Sequence, residues 1–126
     1  MLPNDDYASP EAGNSRTVFV VQSVQKDFSD ARRYGALRSV FGSPRRPYDT
    51  DQLIGRARKV FQQYQPGDYL LMVGDPALCG VAMSVLCEKE DHVNVLSWDN
   101  NTLSYRVNRW NFDYDNYVVE DEAAED

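Results

Sequence analysis

The chain has 126 residues, 42% of them hydrophobic, and a formal net charge of −7. That length fits one domain, and folding at this size buries roughly two-thirds of the surface the unfolded chain exposes, enough for a core without a metal or disulfide staple. No apolar run approaches the length of a membrane span, and the opening Met-Leu-Pro-Asn-Asp-Asp has neither the basic nor the apolar region of a secretion signal, so the expectation is a cytoplasmic protein with no membrane partner.

Residues 1–15 are polar, carry Pro3, Pro10 and Gly13 and show no periodicity, which reads as a disordered arm. Residues 17–24, Thr-Val-Phe-Val-Val-Gln-Ser-Val, form a β-branched run suited to burial on both faces of a sheet. A turn of helix around 29–34 and a short strand at 37–41 follow, then a loop, Gly-Ser-Pro-Arg-Arg-Pro, whose prolines cannot donate to a ladder. From Asp49 a helical period appears: Asp49 and Gln52 have capping-box spacing, and Leu53, Ile54, Ala57, Val60, Phe61 and Tyr64 recur on one face. Pro66 and Gly67 stop that helix, and 69–73, Tyr-Leu-Leu-Met-Val, reads as a central parallel strand.

Asp75 then stands as N-cap of a second helix with Pro76 at its first position, where a missing N–H costs nothing. Cys79 and Cys87 fall eight residues apart on this helix, their Cα atoms about 12 Å apart, too far to bridge; unpaired thiols fit a reducing compartment. Residues 93–98 return as a strand, and after a turn-rich Asp-Asn-Asn the alternating 103–107 pairs back as an antiparallel edge hairpin, open to self-association. Residues 113–126 form an acidic tail. The expected architecture is a single small α/β domain at 16–112: a mostly parallel four- or five-stranded sheet with two main helices and an antiparallel edge hairpin.

Charge is distributed unevenly. Residues 26–59 hold nine basic residues against four acids, whereas 111–126 hold seven acids and no base. Arg32, Arg33, Arg38, Arg45 and Arg46, with Tyr34 and Tyr48 close by, form a candidate binding segment; the alternative is a solvated face. Arginine beside aromatics admits nucleic acid as a partner, but the acidic total and the lack of a defined aromatic signature favour a protein partner.

Two features together, Gly-Asp-Tyr-Leu-Leu-Met-Val-Gly-Asp-Pro at 67–76 leading into an Ala- and Gly-containing helix, and Leu-Ser-Trp-Asp within 93–105, resemble small functionally uncharacterised proteins of tailed bacteriophages over residues 17–112. The resemblance implies a virus-encoded protein acting in a bacterial cytoplasm and implies no activity. The Gly-Asp-Pro stretch also looks like the loop near S-adenosylmethionine in tetrapyrrole methyltransferases, but those are much longer two-domain enzymes.

Asp75, at the carboxyl end of a parallel strand, is the one candidate ligand or catalytic position. A helix cap explains it as well, and for a phosphate site Pro76 deletes a donor and the carboxylate repels the anion. No phosphate-binding or dinucleotide glycine fingerprint is present, so no cofactor is expected. His92 is the only histidine and has no partner at ligand spacing, so no metal is expected. These residues point to a non-catalytic accessory protein meeting a host or phage protein through its arginine-rich segment, with the acidic tail as a second candidate arm; a nucleic-acid or nucleotide-binding accessory is the alternative and a small enzyme centred on Asp75 the third reading.

Overall fold

The computed structural model describes residues 15–24 and 26–112. The arm expected before residue 15 and the acidic tail expected from 113 lie outside the described residues. Five strands, β1 (Thr17–Val20), β2 (Ala36–Ser39), β3 (Tyr69–Leu71), β4 (His92–Asp99) and β5 (Ser104–Asn111), form one sheet in the order β2-β1-β3-β4-β5. The first three neighbour pairs are parallel and β4–β5 is antiparallel, the mostly parallel sheet and edge hairpin that the hydrophobic pattern predicts.

Strands buried on both faces need apolar residues at consecutive positions, and β1 supplies them. Phe19 and Val21 face one side, with Leu70, Val93 and Val95, under α1 (Thr50–Val60) and α2 (Pro76–Leu86). Val18 and Val20 face the other, with Leu37, Leu71, Leu96 and Tyr105, under Phe28 and Ala31 at a 3-10 helix, Ser29–Tyr34. The chain moves from β1 one way to β2 and then back past β1 to β3 and β4. With crossovers of one hand, that reversal sends the β1–β2 connection to the face opposite the helices.

Local chemistry sets the helix ends. The Asp49 carboxylate accepts from Gln52 N–H at 3.2 Å, and that of Asp75 accepts from Ala77 N–H at 2.9 Å. α1 passes into a 3-10 turn, Phe61–Gln63, whose carbonyl end is held by Lys89 Nζ donating to the carbonyls of Phe61 and Tyr64 at 2.8 and 3.0 Å, a cation where the helix dipole is negative. The buried Asp68 joins two strand starts: its carboxylate accepts from Thr17 N–H at 3.0 Å and Gln65 N–H at 2.9 Å.

Several boundaries differ from expectation. β1 ends at Val20, not 24, because Ser23 N–H turns to Gly42 O at 2.8 Å. β3 ends at Leu71, two residues short of the expected 73. β5 runs to Asn111, beyond the expected 107, because its last residues keep pairing with β4 although their side chains are exposed. Cys79 and Cys87 are free and half-buried, and burial pushes both thiols up from the ordinary range.

Two stability outcomes follow from these contacts. Asp68→Ala strands two backbone donors and is expected to cost about 2–3 kcal/mol, whereas Tyr105→Phe removes a buried hydroxyl that has no partner and is expected to be neutral or stabilising by about 1 kcal/mol, both read from urea unfolding. At pH 8 both native thiols should react with a thiol reagent several-fold more slowly than a free cysteine, becoming equal to it on unfolding in urea, because only the thiolate attacks.

Candidate functional site

In an open parallel sheet, the crevice suited to a ligand lies beyond the carboxyl ends of the two strands from which the chain departs in opposite directions, here β1 and β3. Gln22 follows β1 at that point, and Gly74 and Asp75 follow β3. The Gln22 side chain crosses the gap, its Oε1 accepting from Asp75 N–H at 2.7 Å. Gly74 has φ +107°, and a Cβ there would lie 2.2 Å from Gln22 Oε1 and 2.5 Å from Gln22 Cβ, so both its backbone angle and its neighbour demand glycine.

The loop between β2 and α1 then brings Arg46 and Tyr48 onto Asp75. One carboxylate oxygen of Asp75 accepts from Ala77 N–H; the other accepts from Tyr48 OH at 2.9 Å and from the Arg46 guanidinium. Arg46 also lies over the Tyr48 ring, 5.5 Å from its centroid. The Asp75 side chain is 10% exposed and that of Arg46 73%, so the carboxylate sits beneath the arginine. Beside them is a shallow hollow of about 500 Å³ lined by Arg46, Pro47, Tyr48, Asp75 and Ala77. With both oxygens engaged, Asp75 holds together β3, α2 and the β2–α1 loop.

The other arginines of the predicted segment are elsewhere. Arg33 and Tyr34 lie on the 3-10 helix and both donate to the carbonyl of Tyr105, from Nη2 at 3.0 Å and OH at 2.8 Å. Arg33 also pairs with Asp30 at 3.2 Å and lies 4.4 Å from the Tyr34 ring centroid. Arg32 is half-buried on the same helix, its Nε without a partner. Arg38, on β2, sits beside Phe19 on the helix-covered face and donates to Gln63 at 3.2 Å. Arg45 is exposed in the β2–α1 loop. The structure therefore brings Arg46, Tyr48 and Asp75 together, groups Arg33 and Tyr34 against β5, and does not assemble the segment into one patch.

Sequence reading missed the exposed apolar surface of the β4–β5 hairpin. Trp98, Leu103, Val107 and Trp110 are the large hydrophobics exposed among the described residues, and all four lie on it. The visible signal was two tryptophans, Trp98 and Trp110, flanking the polar turn and the alternating run that follows it. No group of three or more His, Cys, Asp or Glu side chains disposed for a metal occurs among the described residues, and no helix there is long and apolar enough to cross a membrane.

Fold and site together define a small single-domain α/β protein in which the gap beyond the carboxyl ends of β1 and β3 is bridged by Gln22 and held by an Asp-Arg-Tyr cluster. Residues 16–112 match the phage Pam3 gp32-like protein family, and the chain belongs to that family. Comparison with curated proteins and with solved structures gave no match.

Asp75→Ala loses the α2 cap together with the anchors of Arg46 and Tyr48, and is expected to cost about 1–2 kcal/mol in chemical denaturation. Asp75→Asn keeps a capping oxygen and gives up mainly an ion pair with an exposed partner, so its cost is expected below about 1 kcal/mol.

Proposed function

We propose that this phage protein is a non-catalytic accessory protein that acts in the bacterial cytoplasm by contacting another protein, of the host or of the phage, through the loop carrying Arg45, Arg46 and Tyr48. The observation that carries this reading is the state of Asp75: at the position where a catalytic carboxylate would act, both oxygens hold donors from the protein itself. An acid–base centre needs a partner group within hydrogen-bond reach of a substrate proton, and the cluster offers an anchored carboxylate under a guanidinium. What it presents outward is positive charge, suited to an acidic protein surface. The acidic tail is a second candidate arm.

The nucleic-acid reading loses support from the same geometry. Single-strand binding uses free aromatic faces as stacking platforms. Tyr34 and Tyr48 each carry an arginine over the ring, and the Tyr34 ring also lies 5.2 Å from that of Tyr69.

Fluorescence anisotropy with labelled single- and double-stranded DNA and RNA at two salt concentrations, run beside cross-linking in infected cells, tests the reading. The expected outcome is no salt-sensitive nucleic-acid binding, and a cross-linked protein partner that Arg45→Glu/Arg46→Glu loses. Binding to nucleic acid that falls steeply between low and moderate salt would establish the alternative instead.

A further inference from the structure

The outer edge of β5 has a readable hydrogen-bond phase. Phe112 N–H donates to Asp91 O at 2.8 Å, one step beyond the His92–Asn111 pair, so that step is of the hydrogen-bonded type. Antiparallel alternation then turns the backbone groups of Ser104, Arg106, Asn108 and Trp110 inward to β4, and those of Tyr105, Val107, Arg109 and Asn111 outward. Tyr105 agrees independently: its N–H donates to Asp30 Oδ2 at 2.8 Å and its carbonyl accepts from Arg33 and Tyr34, all on the 3-10 helix. That helix thus covers the edge at Tyr105, and the outward groups of Val107 and Arg109 project past it.

Natural edge strands are commonly blunted by charged side chains, lysine above all, by proline or by a bulge. Residues 104–111 contain no lysine or proline, carry charge at Arg106 and Arg109, pair with β4 without a bulge, and lie in the hairpin that carries Trp98 at 40%, Val107 at 43% and Trp110 at 40% exposure.

We infer that β5 is the interface of a two-fold homodimer: β5 of one copy pairs antiparallel with β5 of a second, Val107 opposite the second copy's Arg109, about an axis through Asn108. A two-fold interface must be reciprocal, and this register is. The outward N–H and C=O groups of Val107 and Arg109 on each copy satisfy those of the other in two hydrogen-bonded pairs. On the helix face, Arg106 of each copy stands across from Trp110 of the other in the non-hydrogen-bonded positions, where Cα atoms approach to about 4.5 Å and a guanidinium meets an indole face. Neighbouring registers are worse. Centring on Val107 calls on the Tyr105 groups that the 3-10 helix already holds, and centring on Arg109 sets two guanidinium groups directly opposite.

Sedimentation equilibrium of the full chain should give a concentration-dependent mass approaching twice 14.4 kDa. Val107→Pro removes an edge donor that β4 does not use, and should weaken the dimer about tenfold or more. Under mild oxidation Asn108→Cys should form an intermolecular disulfide, because its Cα atoms would meet within bridging range across the axis; Arg109→Cys should not, being offset to about 8 Å, and the wild type with its two native thiols is the blank. A single-chain mass at every concentration, a dimer undiminished by Val107→Pro, or linking through residue 109 in preference to 108 would overturn the assignment. If the proline variant does not fold, the cysteine pair decides alone.

Discussion

The fold depends on one constraint, the placement of β1 between β2 and β3. A first strand in mid-sheet obliges the chain to leave β1 in one direction and return past it in the other. With one crossover hand, the helices gather on one face and the connection from β1 to β2 must cover the other alone. A helix there would need at least two turns of apolar period; the sequence supplies Phe28 and Ala31 and little else, so a six-residue 3-10 helix serves. The same reversal opens a gap at the carboxyl ends of β1 and β3, and Gln22, Gly74 and Asp75 span it.

The 3-10 helix gains by reach what it lacks in apolar area. Asp30, Arg33 and Tyr34 extend across the sheet to the backbone of Tyr105, giving β5 a polar clamp in addition to its ladder with β4. Tyr105 is buried below the clamp and Trp98 packs edge-on against it at 5.0 Å. One short segment therefore closes a core face and covers one end of a sheet edge, and beyond its reach β5 presents its backbone outward.

Much of this was legible in the sequence. The strand-turn-helix from Tyr69 to Leu86, the caps at Asp49 and Asp75, the stop at Pro66 and Gly67 and the antiparallel hairpin all follow from local rules of period and turn chemistry, and the structure has them. The far half of β5 was hidden because Asn108, Arg109, Trp110 and Asn111 are all exposed and none of them enters the core; their strand conformation comes from pairing with β4, which leaves no hydrophobic period to read. The Asp75 cluster was half legible. The strand end marks the aspartate, but Arg46 and Tyr48 arrive through a loop whose path depends on where β2 lies relative to β3, and sequence separation carries no such information.

The arginine-rich stretch shows why charge summed along a chain differs from charge displayed on a surface. Arg33 is taken by Asp30 and Tyr105, Arg38 by Gln63, Arg46 by Asp75, Arg56 by the carbonyl of Val40 at 2.6 Å, and Arg58 by Glu88, whose carboxyl its guanidinium holds below the ordinary range. A guanidinium is well suited to such work, since its fork of donors satisfies carbonyls and carboxylates that would otherwise end strands and loops unpaired. Where β1, β2 and β3 run only three or four residues each, the connecting loops carry a large share of the backbone polar groups, and arginine is an economical way to satisfy them. Much of the positive charge between 26 and 59 is therefore engaged within the fold, and its excess along the chain overstates what the surface displays.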